Sequence, residues 1–150
     1  MTKKLLIKHA TGLSNIQTDA KSIRNAVFVH EQKIPAELEF DEFDASTVHF
    51  VGYLKDLPVT TCRVAINADI QQAKIQRVAT LIDYRGQHLA SQLLESVLET
   101  LTTDIPVASI TLDAQLPAQH FYEQLGFIPV GQQFEEAGIP HIQMTKTIKA

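Results

Sequence analysis

The segment Arg85-Gly86-Gln87-His88-Leu89-Ala90 follows a strand-like run, Ile75 to Leu81, and opens an amphipathic helix. Leu89, Ala90, Leu93, Leu94, Val97, Leu98 and Leu101 fall on one stripe of that helix, with Gln92, Glu95, Ser96 and Glu99 opposite. The first N–H groups of a helix have no partner within it, and the helix dipole concentrates partial positive charge there. A strand, an Arg-Gly turn and a helix N-terminus in succession therefore make a site for a phosphate. Arg85 adds a planar charged donor suited to phosphate oxygens. Read without its surroundings, the same segment is an ordinary strand-to-helix turn, because short glycine-containing patterns recur by chance.

The rest of the chain sets the frame for that turn. Its 150 residues suggest a single domain, 1–150, with enough core to fold unaided. A hydrophobic fraction of 45% with 20% charged residues is that of a globular protein. No apolar run approaches the roughly 18 residues of a membrane helix, and Met1 to Ala10 lacks the apolar core of a secretory signal. A cytoplasmic location without membrane partners is expected. The single Cys62 allows no internal disulfide and reads as a half-buried strand residue. A net charge of −4 argues against nonspecific nucleic-acid binding, which needs a basic face.

Hydrophobic periodicity places the elements. Lys3 to His9 reads as a first strand. Ser14 and Gln17 have capping-box spacing, and the helix they open should run to about Gln32 and stop before Pro35. An acidic loop, Glu37 to Asp44, follows. Val48 to Lys55 and Val59 to Asn67 read as a hairpin turning at Asp56-Leu57-Pro58, and Gln72 to Leu81 as the next antiparallel strand. The Leu89 helix should end near Thr103. Val107 to Leu112 is a strand, and Pro117 opens a helix that Gly126 terminates. Phe127 to Phe134 and His141 to Ile148 complete the order β-α-β-β-β-α-β-α-β-β, an α+β fold with one mixed sheet.

Several of these pieces together resemble one family. Arg77 to Ala90 is similar to motif A of the GNAT acyltransferase superfamily, and Phe121-Tyr122-Glu123-Gln124-Leu125-Gly126-Phe127 to its motif B. Phe28-Val29-His30-Glu31-Gln32, the acidic Glu39 to Asp44 and Glu135 to His141 resemble a small, mostly bacterial branch of it. The resemblance spans nearly the whole chain with motif order intact. It implies a GNAT-like mixed, mostly antiparallel sheet, splayed near its middle and flanked by helices, with acetyl-CoA as co-substrate in the gap. Main-chain groups of Val78 and Thr80, flanking Ala79, would pair with the pantetheine arm. The loop Arg85-Gly86 and the amides from Gln87 through His88 and Leu89 to Ala90 would hold the pyrophosphate, with Gln115, Ala118 and Phe121 also on the cofactor side. Two positions depart from the family pattern. His88 stands where the first glycine of the phosphate loop usually stands. Gln115 stands where many relatives carry Asn, and offers the same amide groups with longer reach.

Acyl transfer from a thioester to an amine needs a neutral amine and a proton donor for the leaving thiolate. Tyr122 matches the family position of that donor; without the resemblance it reads as a core tyrosine beside Phe121. Among carboxylates, Glu39 is chosen as the proton acceptor, against the alternative of a solvated acidic loop. Glu31, Asp41 and Asp44, with His49 and His141, are expected on the acceptor side. A strand histidine has a structural alternative as a hydrogen-bonded residue, and no metal site is expected. The leading reading is thus an acetyl-CoA-dependent N-acetyltransferase acting on a primary amine of a small molecule or peptide by direct attack in a ternary complex. The resemblance also raises a homodimer. The alternatives are an acyl-CoA-binding sensor without catalysis, motivated by His88, and an interaction module with no cofactor.

Overall fold

The computed structural model describes residues 4–148, so Lys3, the expected start of the first strand, lies outside the described residues. The elements are β1 (Leu6–Thr11), α1 (Asn15–Arg24), α2 (Ala36–Glu39), β2 (Val48–Leu54), β3 (Leu57–Asn67), β4 (Gln72–Thr80), α3 (Leu89–Thr103), β5 (Ser109–Gln115), α4 (Gln119–Gln124), β6 (Ile128–Glu136) and β7 (Ile139–Thr147). The strands form one sheet in the order β1-β2-β3-β4-β5-β7-β6. Every neighbouring pair is antiparallel except β4 and β5, which are parallel.

Alternation along the strands gives each sheet face its own helix. Val48 and Phe50 join Leu93, Leu94, Val97 and Leu101 of α3 in the larger core cluster, which also takes in Ile110, Leu112, Tyr122 and Met144. Val51 and Tyr53 pack with Ala20 and Ile23 of α1 and with Val27 and Phe28 on the other face. Ser14 caps α1 by accepting from the Gln17 amide at 3.1 Å, as its spacing predicts. Cys62 is fully enclosed in the α3-side cluster, more deeply than the half-buried position expected, and burial pushes its thiol far above the ordinary range.

Three elements depart from expectation. The first helix leaves α geometry at Arg24 and continues as a wider π-helix over Asn25–Glu31, a segment without Gly or Pro to mark the change. The acidic loop contains α2 and a 3₁₀ turn, Glu42–Ala45. The β2–β3 turn sits at Lys55 and Asp56, which carry φ of 48° and 70°, so Leu57 and Pro58 already belong to β3. Consecutive positive φ values match the twist of the flanking strands and make the shortest hairpin connection.

The gap in the sheet has a local cause. β4 and β5 pair only between Gln72–Ile75 and Ser109–Leu112. Past that point β4 runs on to Thr80 and β5 to Gln115 without pairing to each other, though each keeps its antiparallel partner on the other edge. Thr61 pairs with Ala79 and Arg63 with Gln76, so β4 carries one residue more than β3 between them. That bulge coincides with Arg77, whose φ is 57°. A bulge bends its strand and raises its twist, which turns β4 away from its parallel partner.

Candidate active site

A cavity of about 410 Å³ opens at this divergence. Gln76, Arg77 and Val78 of β4 form one wall, and Leu112, Asp113 and Gln115 of β5 the other. Phe28 and Gln32 close it from the α1 side, while Ala118 and Tyr122 approach from the side of α3. The cavity therefore passes between the two faces of the sheet. The Gln32 and Gln115 amides meet across it, with Gln115 Nε2 donating to Gln32 Oε1 at 3.1 Å. Ile34, Leu38 and Ile139 add apolar surface.

The loop after β4 leads to the N-terminus of α3. The amides of His88, Leu89 and Ala90 donate to no described residue. His88 adopts a left-handed conformation, φ 63° and ψ 22°, directly before the helix. Glycine is the residue that takes that geometry without steric cost, which is the physical reason the position favours it. The His88 side chain is exposed and makes no hydrogen bond with the loop. Gly86 has φ 75° with open space where a Cβ would stand, so backbone conformation alone favours glycine there. The Gln87 Oε1 atom is buried without a partner among the described residues. Unused helix-terminal amides fit an anionic group at this turn, whereas the Gln87 oxygen is an acceptor and calls for a donor.

Arg85 has a different task from the one expected. Both of its terminal nitrogens bind the Glu31 carboxylate at 2.6 Å, and its Nε donates to the Thr80 carbonyl at 2.9 Å. The pairing holds the Glu31 carboxyl below its ordinary range. Glu31 thereby fastens the end of the π-helix to the loop before α3 and does not line the cavity.

Tyr122 is 7% exposed and forms edge-to-face contacts with Phe121 and Phe127. Burial raises its phenol well above the usual range, so it stays protonated at neutral pH. Its hydroxyl makes no hydrogen bond to any described residue.

The acidic segment is not a solvated loop. Arg24, 1% exposed, donates through Nε to Glu39 at 2.8 Å and through Nη1 to Asp44 at 2.9 Å. Arg63, 2% exposed, binds Asp41 at 2.7 Å and Asp44 at 2.8 Å. Arg77 reaches Glu39 at 3.1 Å and Asp41 at 3.2 Å, and also the carbonyls of Leu38 and Glu39. Burial works against the Asp44 carboxylate, yet hydrogen bonds from Arg63 and Arg24 outweigh it and hold the carboxyl below its ordinary range. Asp41 follows the same pattern through Arg63 and Arg77. Burial dominates at Glu39 and raises its carboxyl, against the pull of Arg24 and Arg77.

These contacts change what the expected acceptor residues can do. Glu39 borders the cavity, but each of its oxygens holds a guanidinium, unlike the free carboxylate expected of a base. Asp41 and Asp44 are spent on the same cluster and are not in the cavity wall. His49 is fully buried beneath them; its Nε2 contacts the Asp44 carbonyl at 2.9 Å, and burial lowers its tendency to protonate. It is a structural residue, which corrects its placement on the acceptor side. His141 does line the cavity, with Glu136 and Ala137 beside it. Val78, Gln115, Ala118 and Tyr122 also line it. Ala79 and Thr80 point elsewhere, Ala79 into the α1-side cluster and the Thr80 hydroxyl onto Thr60 at 2.9 Å.

Sequence reading missed Arg24, Arg63, Arg77, Gln32 and Glu136. Arg63 did carry a signal, because a charged residue inside Val59 to Asn67 implies a buried partner. The others lie on faces that local patterning leaves unassigned.

A half-open parallel strand pair, free amides at a following helix N-terminus and a buried protonated tyrosine in the gap define an acyl-transfer fold. The family model "Acetyltransferase (GNAT) domain" matches residues 16–148, and the chain belongs to that family. It is 36% identical over 128 residues to protein ElaA of Escherichia coli (strain K12), covering 84% of each chain. The crystal structure of Escherichia coli ElaA superposes with a TM-score of 0.84 at 32% identity, over 95% of this chain and 99% of that one. An acyl-CoA N-acyltransferase from Pseudomonas aeruginosa gives 0.83 at 28% identity, over 96% and 100%. The fold, mostly antiparallel with one parallel pair, is that of these structures, and acetyl-CoA is the co-substrate that goes with the family.

Proposed function

We propose that this chain transfers the acetyl group of acetyl-CoA to a primary amine of a small molecule or peptide, by direct attack within a ternary complex. The observation that carries this reading is the stretch of β4 left open toward β5 and leading to the free amides of α3, with Tyr122 in the cavity wall. The open edge of β4 around Val78 would receive the amide-bearing arm, and the amides from His88 to Ala90 the pyrophosphate. The co-substrate supplies an activated acyl carbon.

This chain's residues do the remainder. Tyr122 donates its phenolic proton to the departing sulfur, and burial keeps that proton in place until it is needed. The Arg24–Arg63–Arg77 cluster holds α2 and the β4 bulge together, which fixes one cavity wall. Phe28, Ile34, Leu38 and Ile139 exclude water from the apolar part. Acetyl-CoA with a panel of primary amines should release free thiol in proportion to amine. Binding without amine-dependent thiol release would point instead to a sensor.

A further inference from the structure

We propose that His141 Nε2 is the proton acceptor that neutralises the incoming amine. The assignment rests on the amine-acetyltransferase reading above and deepens it. Most titratable groups bordering the cavity are already engaged. Glu39 holds Arg24 and Arg77. Asp113 holds Lys74 at 2.9 Å. Tyr122 is a protonated phenol. His141 and Glu136 remain, and the Glu136 side chain is 57% exposed against 9% for His141.

The His141 ring is oriented from two directions. Its Nδ1 lies 2.6 Å from the Ile139 carbonyl oxygen. A carbonyl only accepts, so Nδ1 carries the hydrogen and the neutral ring keeps its lone pair on Nε2. Phe134, the cross-strand partner of His141, stacks on the ring at 5.8 Å with an interplanar angle of 22°. Glu136 Oε2 lies 4.0 Å from Nε2, too far for a hydrogen bond. Nε2 bonds to no described residue. The tight turn at Ala137 and Gly138, with φ of 53° and 75°, brings these groups together at the cavity mouth.

The proton count closes. An alkylammonium gives one proton to Nε2, and the freed lone pair attacks the thioester carbon. The C–N bond forms, the C–S bond breaks, and the sulfur takes the Tyr122 proton. The second proton leaving nitrogen restores Tyr122 through solvent, and His141 releases its own to bulk water. The products are an amide, a free thiol and one proton.

Two measurements test the assignment. Nitrogen NMR of the histidine-labelled protein without ligand should show a neutral Nδ1–H tautomer that vanishes in H141Q; an Nε2–H tautomer at that position overturns the proposal. In kinetics, the reference amine is whichever of 2-phenylethylamine, putrescine and lysine methyl ester turns over fastest at neutral pH. H141Q and H141N should lower kcat for it by about 100-fold or more, with acetyl-CoA affinity unchanged by calorimetry. Hydroxylamine, neutral without help, should lose far less. Equal losses for both nucleophiles, or none, overturn the role of His141 alone. A wild-type protein inactive with every amine overturns the acetyltransferase reading itself, and this assignment with it.

Discussion

His88 and Tyr122 make opposite uses of an unfavourable environment. His88 occupies left-handed backbone just before α3, which for a non-glycine residue costs about 1–2 kcal/mol. Its exposed imidazole makes no hydrogen bond to any described residue in return. His88→Gly should therefore raise the unfolding free energy by up to about 1 kcal/mol, reduced by the extra freedom of glycine in the unfolded chain. Acetyl-CoA affinity should be kept or tightened; thermal melts and calorimetry on the same variant check both. Tyr122 is the reverse case, a polar tip held in an apolar wall where burial keeps it protonated, as the proposed acid role needs. Tyr122→Phe preserves the ring contacts with Phe121 and Phe127. It should reduce kcat by about 100-fold or more while leaving acetyl-CoA affinity intact. Unchanged turnover would remove Tyr122 from the chemistry.

At the scale of elements, the acidic segment works as a clip. Glu39, Asp41 and Asp44 hold three arginines from α1, β3 and β4, and Arg77 stands at the bulge that splays the sheet. Removing one partner of a buried ion pair strands the other charge, at about 3–5 kcal/mol. Asp44→Ala takes one carboxylate from both Arg24, which keeps Glu39, and Arg63, which keeps Asp41, so chemical denaturation should show a loss toward the lower end of that range. Sequence patterning supported the strands, the Ser14 cap and the α3 stripe, because each follows from residues near in the chain. It read Glu37 to Asp44 as an acidic loop either facing the acceptor or solvated, because the arginines that bury it come from residues 24, 63 and 77. The π-helix after Arg24 was equally hidden, since no residue type in Asn25–Glu31 marks it. The turn into α3 was legible from Gly86 and the helix that follows. The Arg85–Glu31 pair was not, because it joins residues 54 positions apart.

For the whole molecule, the ionic clip sets an acid limit. Asp41 and Asp44 have folded-state values below the ordinary carboxylate range. Their contribution is complete above the unfolded value, about 3.9, and is lost as pH falls through the depressed folded values. Glu39, raised by burial, acts in the opposite sense and loses its contribution as pH rises through its folded value. Two depressed carboxyls against one raised predict a net fall in stability below about pH 4. Denaturation midpoints across that range check this, and Asp44→Ala should flatten the slope.

The same clip anchors Arg77 at the bulge beside the gap between β4 and β5, and that gap is the proposed acetyl-CoA site. Titrating the purified chain with acetyl-CoA in a calorimeter tests it most directly. One molecule should bind per chain, with heat and a raised melting temperature. No heat and no thermal shift at millimolar acetyl-CoA would contradict the claim that the open β4 edge and the α3 amides form its site.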